Sequence, residues 1–578
     1  MLWEDTLSVV AFEQVSEHYD VIVMGAGAAG LSAAVFGALS GAKVLLVERT
    51  AYVGGTSALS GGTVWAPGTA IGKTVNTQDT RAAVSEFLDS AVGRHGDTAL
   101  RETFLDAAPE VISTLSERTQ VAFRPYPKHP DYEWDHPHPT LNGRAIEPVP
   151  FDTRAMGRLR NVIRAPIPEF TVLGGMNIDR IDIGHLLNRY KSVGSFAHVA
   201  KIVLRYACDK ALYGRHTRLV MGAALIGRLL ASANDLGVEI VLETSATGMD
   251  LDGAGDAHLA LVSRDARKTV RASGGVILAS GGFGRSAERR RKYLPETLPS
   301  DSPSAPGHTA RMHDLAETLG AVYGQGNDQN AFWAPCSIRT RPDGSRAVFP
   351  HFVLDRSKPG SVCVDRHGAR FVNETRSYHA FGKAMLQGGA ATQHAWIIMD
   401  AKGIAKYGLG MVRPGGDDLR PYLKDGYLIE ARSIAELAAK TGTDETTLTA
   451  SIDDINQAAD AGRDDRFGRG ESPYQRHNGD ATVAPNPTLG VLCQAPYYAV
   501  KLQPADIGTA KGFAATPNAE LLRADGTVIT GVYAAGNDLH SIMGGTYPGP
   551  GITLGPGLVF GAIAARHAAA RAKDKKGK

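Results

Sequence analysis

The most specific chemistry in this sequence lies in short glycine-rich stretches. The first, Gly25-Ala26-Gly27-Ala28-Ala29-Gly30, follows a run rich in β-branched residues, Tyr19–Met24, and opens an Ala- and Leu-rich stretch, Ala28–Leu39. Gly25 permits a tight turn, Gly27 lets backbone approach a pyrophosphate, and Gly30 lets helix and strand pack closely. The N–H groups at the helix start then face the phosphates with a partial positive charge. Glu48, eighteen residues past Gly30, ends a second strand. A carboxylate there accepts hydrogen bonds from ribose hydroxyls and disfavours a 2′-phosphate. This is the pattern of a dinucleotide site, with Ala26, Ala29 and Arg49 beside it. A second loop, Gly54-Gly55-Thr56-Ser57 then Ser60-Gly61-Gly62, offers N–H and hydroxyl donors along a longer cofactor.

These loops resemble the flavoprotein superfamily of fumarate reductase and succinate dehydrogenase, whose similar GGTS…SGG loop approaches the flavin. The resemblance implies FAD. Ser280-Gly281-Gly282 ends another buried run, and Gly531-Val-Tyr-Ala-Ala-Gly536-Asn537-Asp538 resembles the late strand-turn that meets the ribityl chain. Fumarate reductases carry a His and an Arg in the C-terminal stretch that follows. Here it reads Met543-Gly-Gly-Thr-Tyr547-Pro-Gly-Pro-Gly551-Ile-Thr553-Leu554-Gly555-Pro556, with neither. This segment closely resembles that of 3-ketosteroid Δ1-dehydrogenases. The likeness covers nearly the whole chain, including Arg218-Leu-Val-Met-Gly222, Gly281-Gly282-Phe283, Phe467-Gly468-Arg469-Gly470 and Lys511-Gly512.

Removing hydrogens from adjacent carbons requires an acidified carbon, a base for its proton and a hydride acceptor at the other. A ketone acidifies its α-carbon only if charge building on its oxygen is stabilised. The resemblance implies that the Tyr547 hydroxyl and the Gly551 N–H donate to that oxygen. It implies that Tyr378, in Arg370-Phe-Val-Asn-Glu374-Thr-Arg-Ser-Tyr378, is the base, and that Tyr132 is linked to it. A free phenol has a pKa of about 10 and needs help from neighbours. Ser377 stands where relatives commonly carry Pro, and the adjacent His379 competes for the base role. Tyr126 and Trp134 compete with Tyr132 as neighbours of the pocket. Thr553 and Leu554 complete the cofactor set, and Phe332, Trp333 and Phe381 are expected to wall the substrate cleft. The expected substrate is a hydrophobic ring ketone, foremost a 3-ketosteroid. The alternatives are a smaller cyclic ketone such as cyclohexanone, a bile-acid or terpenoid ketone, flavin-dependent reduction of an activated alkene, and a flavin protein without turnover. An external electron acceptor, such as a quinone or an artificial dye, is needed but unidentified.

The chain that must position these groups has 578 residues, enough for two or more domains. A net charge of +2 makes no electrostatic case for nucleic acid. Cys208, Cys336, Cys363 and Cys493 show no metal-ligand spacing and are expected to be buried apolar residues in a reducing compartment. The acidic segment 1–17 has no signal-peptide pattern, and no apolar run spans a membrane, so a cytoplasmic enzyme is expected. From Gly184 to Arg218 basic residues interleave with apolar ones, which fits either a solvated surface excursion or peripheral membrane contact. The basic tail Ala568–Lys578 is expected to fray.

The expected fold is α/β. Strands at Tyr19–Met24, Lys43–Val47, Val238–Leu242, Gly275–Ala279 and Gly531–Ala534, with helices at Ala28–Leu39, Leu219–Ala233 and about Gly557–Ala570, form a Rossmann-like FAD-binding domain. It covers 1–331, with a helical excursion at 168–217, and returns at 491–578. An inserted α+β catalytic domain, 332–490, separates the two parts.

Overall fold

Among the described residues the longer buried aliphatic runs assemble into two main sheets, beside two small ones. The structure, a computed structural model, describes residues 9–352 and 355–577, so the first eight residues of the acidic N-terminal segment lie outside it. The larger sheet orders its strands Glu520–Leu522, Val528–Ala534, Ala266–Leu278, His18–Met24, Val44–Val47 and Glu239–Val241. Its centre is parallel: Ile22 lies opposite both Val276 and Leu45, and Val276 opposite Val532. Strands from both ends of the chain therefore share one sheet, the hallmark of an interrupted domain. Helices Ala28–Leu39 and Leu554–Lys576 pack on it, and their buried faces are almost wholly Ala, Gly, Leu, Val and Phe.

Sequence periodicity located only the end of strand Ala266–Leu278. Its first half alternates exposed and buried residues because it pairs antiparallel with Ala257–Ser263, itself paired with Ser245–Leu251. Its second half is buried on both faces inside the parallel sheet. One strand thus carries two patterns, and only the second reads as a continuous apolar run.

The second sheet orders Arg346–Pro350, Ala331–Thr340, Tyr497–Thr509, Ala395–Asp400 and Ser361–Val364, and Leu428–Ala431 also pairs with Tyr497–Thr509. This corrects the boundary drawn at 490. Strand Tyr497–Thr509 pairs Ala331 with Thr509 and holds the inserted sheet together, so the chain returns to the first lobe only beyond it. Helices Ile434–Thr441 and Glu445–Ala461 cover this sheet.

The excursion forms helices Arg180–Leu187 and Val193–Tyr213 around a small core of Met176, Ile178, Ile202 and Tyr206. The C-terminal tail is not frayed. Its helix runs to Lys576, buries Ala568, Ala569 and Ala572, and uses Arg571 to donate to the carbonyls of Ser273, Gly274 and Gly255. Cys336 and Cys363 are buried, whereas Cys208 and Cys493 are exposed, against expectation, because each sits on a surface segment.

Candidate active site

The turn after the first strand opens on a cavity of about 580 Å³ lined by both lobes. Gly25 has φ +112°, and a Cβ there would lie 2.3 Å from the Ala279 carbonyl oxygen. A Cβ on Gly27 would meet only Ser57 Oγ, at 3.9 Å, so its missing side chain leaves room in the cavity itself. Gly30 does not line the cavity, which corrects its place among the cofactor contacts. A Cβ there would lie 1.8 Å from the Gly25 carbonyl oxygen, so its role is close packing of turn and helix. The other expected cofactor residues all line the cavity: Ala26, Ala29, Glu48, Arg49, Gly55, Thr56, Ser57, Gly61, Gly62, Ser280, Gly281, Gly536, Asn537, Thr553 and Leu554.

Hydrogen bonds brace this cradle. Glu48 Oε2 accepts from the Ala26 N–H at 3.0 Å, and Oε1 accepts from the Thr50 N–H at 2.9 Å. Ser57 Oγ accepts from the Ala28 N–H, and Thr56 Oγ1 from the Ala305 N–H. Buried Asp538 accepts from the Ser280 N–H and hydroxyl and, at 2.7 Å, from the Gly282 N–H. The His313 Nε2 bonded to it at 2.8 Å holds its carboxyl below the usual range against the opposing cost of burial. An extended groove of small residues, N–H groups and hydroxyls fits a long dinucleotide such as FAD.

Sequence reasoning missed His308, which lines the same groove. Its ring packs on Gly281, and its buried Nδ1 has no hydrogen-bond partner. Burial holds it down to about 4. A histidine in a loop of no recognised motif gave no signal in sequence. Arg164 and Arg311 reach the cavity in the same way.

At the other end three tyrosines converge. The rings of Tyr378 and Tyr547 are 5.1 Å apart, those of Tyr132 and Tyr378 5.6 Å, and those of Tyr132 and Tyr547 5.8 Å and nearly parallel. The Tyr378 phenol is within electrostatic reach of both other phenols. Burial pushes all three phenols up, so each is neutral until a neighbour or substrate changes that. Tyr378 begins helix Tyr378–Gln387, and Ser377 caps it by accepting from the Ala380 N–H. A serine therefore serves where a proline would start the helix.

Gly551 has φ +86°, and a Cβ there would lie 2.3 Å from the Thr63 carbonyl oxygen. Its carbonyl accepts from Trp65, Leu554 and Gly555, while its N–H bonds no protein acceptor among the described residues. An available N–H beside the Tyr547 hydroxyl is a suitable pair of donors for an oxyanion.

Tyr126 lines the cavity too. Trp134 does not, and donates from Nε1 to the Asp131 carbonyl at 2.7 Å. His379 also lies outside the cavity. Its Nδ1 accepts from the Trp333 N–H at 3.1 Å, which leaves the proton on Nε2, and burial lowers its pKa to about 3. A ring whose lone pair is already engaged is a poor base. Of the three expected aromatic walls only Phe332 lines the cavity. Trp333 and Phe381 are instead buried in the packed cores of the two lobes. Phe170 and Phe352 line the cavity instead.

A family model described as an FAD binding domain matches residues 20–554. The chain is 36% identical to the 4-oxocyclohex-2-ene-1-carboxylate 5-dehydrogenase of Sinomonas cyclohexanicum, over 96% of this chain and 95% of that protein. It is 34% identical to a 3-oxosteroid 1-dehydrogenase of Mycobacterium tuberculosis, over 97% and 99% of the two. The fold matches the crystal structure of 3-ketosteroid delta1-dehydrogenase from Sterolibacterium denitrificans in complex with 1,4-androstadiene-3,17-dione, with TM-score 0.89, 29% identity, and 96% and 100% of the two chains covered. Cradle, tyrosine cluster and relatives agree: the chain belongs to the FAD-binding domain family, as an FAD-dependent oxidoreductase of the 3-ketosteroid Δ1-dehydrogenase type.

Proposed function

We propose that this enzyme introduces a C=C bond between the α and β carbons of a 3-ketosteroid. The observation that carries the reading is the convergence of Tyr132, Tyr378 and Tyr547 beside the Gly551 N–H, at the end of an FAD cradle. The ketone oxygen accepts from the Tyr547 hydroxyl and the Gly551 N–H. Tyr378, as a phenolate, takes the α-proton and becomes a neutral phenol, and the adjacent Tyr132 hydroxyl favours the phenolate beforehand. FAD, when bound, supplies the acceptor for the β-hydride. Beyond the tyrosines the cavity continues along Phe170, Ile183, Pro350 and Phe352, a wall suited to a flat apolar ring system.

A smaller ring ketone bearing a carboxylate is the second reading. Arg124 and Arg180 line the same cavity, bridged by Glu147 with Asp179 also on Arg124, and offer guanidinium donors at its edge. Anaerobic bleaching of the flavin separates the two. Reduction by 4-androstene-3,17-dione and none by cyclohexanone or an oxocyclohexane carboxylate supports the steroid; the opposite pattern rejects it.

The excursion adds a place of work. No helix among the described residues is long and apolar enough to cross a membrane. Yet Tyr190, Val193, Phe196, Leu204 and Leu212 are exposed, and Lys191, Lys201 and Lys210 beside them form no ion pair among the described residues. An unpartnered apolar face fringed by free lysines complements an anionic lipid surface, from which a hydrophobic ketone would be drawn. Co-flotation with anionic vesicles, abolished by Leu204→Glu with Phe196→Glu, supports this; unaltered flotation, or none by the parent protein, rejects it.

A further inference from the structure

The cofactor end of the cavity holds more positive charge than its carboxylates balance. Arg49, Arg164 and Arg311 line it, and none of them forms an ion pair among the described residues. Arg49 donates to the Thr309 hydroxyl, Arg164 to the Thr50 hydroxyl at 3.0 Å, and Arg311 to the carbonyls of Ala246 and Thr247. Glu48, the acid beside them, is engaged by the Ala26 and Thr50 N–H groups. Free backbone donors add to this field. Among the described residues the N–H groups of Gly27, Ala29 and Gly281 reach no protein acceptor, although Ser280 and Gly282, on either side of Gly281, both donate to Asp538. Such an end suits an anion.

His308 stands within it. The residue is 7% exposed, and its loop is pinned in place by the Ala305 N–H on Thr56 Oγ1 and by the Arg285 N–H on the His308 carbonyl. A Cβ built on Gly281 would lie 2.5 Å from His308 Nε2. One built on Gly55 would lie 3.8 Å from that nitrogen and 3.8 Å from the Gly27 Cα. Glycines of three separate cofactor loops therefore surround Nε2. Neither ring nitrogen has a hydrogen-bond partner among the described residues; Nδ1 is buried, whereas Nε2 is on the side of the cavity that the ring lines. With its pKa held down to about 4 by burial, the imidazole is neutral at neutral pH and carries one proton. On Nδ1 that proton would be a buried donor without an acceptor, and Nε2 would turn a lone pair toward the anion. On Nε2 it is a donor directed at the anion, so an anionic ligand selects this tautomer.

We infer that His308 is a cofactor-binding residue that donates its Nε2–H to the diphosphate of bound FAD, facing the Gly27 turn across Gly55. The diphosphate is assigned, and not the adenine or the flavin ring, because the start of helix Ala28–Leu39 presents its free N–H groups at the same place. His308 takes no part in moving the substrate's hydrogens. The site needs FAD and is indifferent to which ketone reacts.

The holoenzyme tests this without turnover. In His308→Gln the side-chain amide reaches the Nε2 position, in His308→Asn it ends near Nδ1, and His308→Leu has no donor at all. FAD release on dilution is followed by the recovery of free-flavin fluorescence, and the bound diphosphate by phosphorus NMR. His308→Leu and His308→Asn are expected to release FAD about ten-fold or more faster than the parent and to shift the diphosphate resonances. His308→Gln is expected to stay within about three-fold of the parent, with resonances near the parental ones. Parental release with unshifted resonances in His308→Leu and His308→Asn overturns the inference. Faster release with unshifted resonances, or a His308→Gln protein as leaky as His308→Leu, also overturns it, since the ring would then only pack against Gly281. If His308→Leu fails to fold, the contrast between His308→Asn and His308→Gln decides alone.

Discussion

The backbone N–H of Tyr132 donates to the carbonyl of Pro548 at 2.8 Å. This bond ties the loop carrying one active-site tyrosine to the segment carrying another, Tyr547, one residue before Pro548. Asp131 anchors the same loop: Oδ1 accepts from Trp65 Nε1 at 3.0 Å, and Oδ2 accepts from Thr140 and from Arg144 Nη1. The position of the Tyr132 ring is thus set by backbone and buried side chains. Tyr132→Phe is therefore expected to leave the fold and bound flavin unchanged and to lower the bleaching rate about ten-fold or more. A variant with parental rates removes Tyr132 from the proposed chemistry.

Tyr378→Phe is the sharper case. Loss of a positioned base costs about 10² to 10⁴ in rate. The variant is expected to purify yellow, with parental melting temperature, and to show almost no bleaching. His379→Asn, by contrast, is expected to keep the bleaching reaction, because His379 lies outside the cavity with Nδ1 already engaged. Reversal of these two results would transfer the base role to His379.

The oxyanion site has two donors that fail differently. Tyr547→Phe removes a hydroxyl and is expected to lower kcat by about 10² to 10³ with the fold intact. Gly551→Ala places a Cβ against the Thr63 carbonyl at a backbone angle that L-residues avoid. It is expected to lose more than about 1 kcal/mol of stability as well as rate. Thermal unfolding beside stopped-flow bleaching tells the two apart.

Cofactor binding can be removed without touching the fold. A side chain on Gly27 projects into the cavity, whereas one on Gly30 collides with backbone. Gly27→Leu is expected to give folded, colourless protein, and Gly30→Leu to give unstable protein. Flavin absorbance and circular dichroism of the purified variants check both outcomes.

Two pH effects have opposite origins. Burial raises the Tyr378 phenol, so the fraction able to accept a proton grows with pH, and kcat/KM is expected to climb through the alkaline range. His129 and His379 are held down to about 3 by burial, below their ordinary value of about 6.5. Above about pH 6.5 both are neutral, folded or unfolded, and their stabilising contribution is fully present. As pH falls through that range the unfolded chain takes up protons that the folded one refuses, so stability is lost progressively toward about pH 3. Melting temperatures between pH 7 and 4 are expected to decline, and less steeply in His379→Asn.

Much of the first lobe was legible because its elements announce themselves locally. Helix Ala28–Leu39 has the bounds its composition suggests, and strand Val44–Val47 falls within the expected Lys43–Val47. The strand Tyr497–Thr509 was misassigned to the returning segment because strand character does not say which sheet a strand joins. That depends on partners more than a hundred residues away. The tail was misread for a similar reason: its lysines find Asp20 and Asp256, acids that no local pattern connects to them.

At the site the division is the same. Sequence by itself determined the cofactor cradle, because phosphate binding at a turn requires glycines at fixed spacing between a strand and a helix, all within one local segment. It also marked Tyr378, Tyr547 and Gly551 through the family likeness. Only the tertiary structure decided that Tyr132 joins them while Trp134 turns away, and that His379 lies behind the wall. Those outcomes depend on the meeting of two lobes, and a contact between lobes leaves no periodicity or spacing in either strand of sequence that makes it.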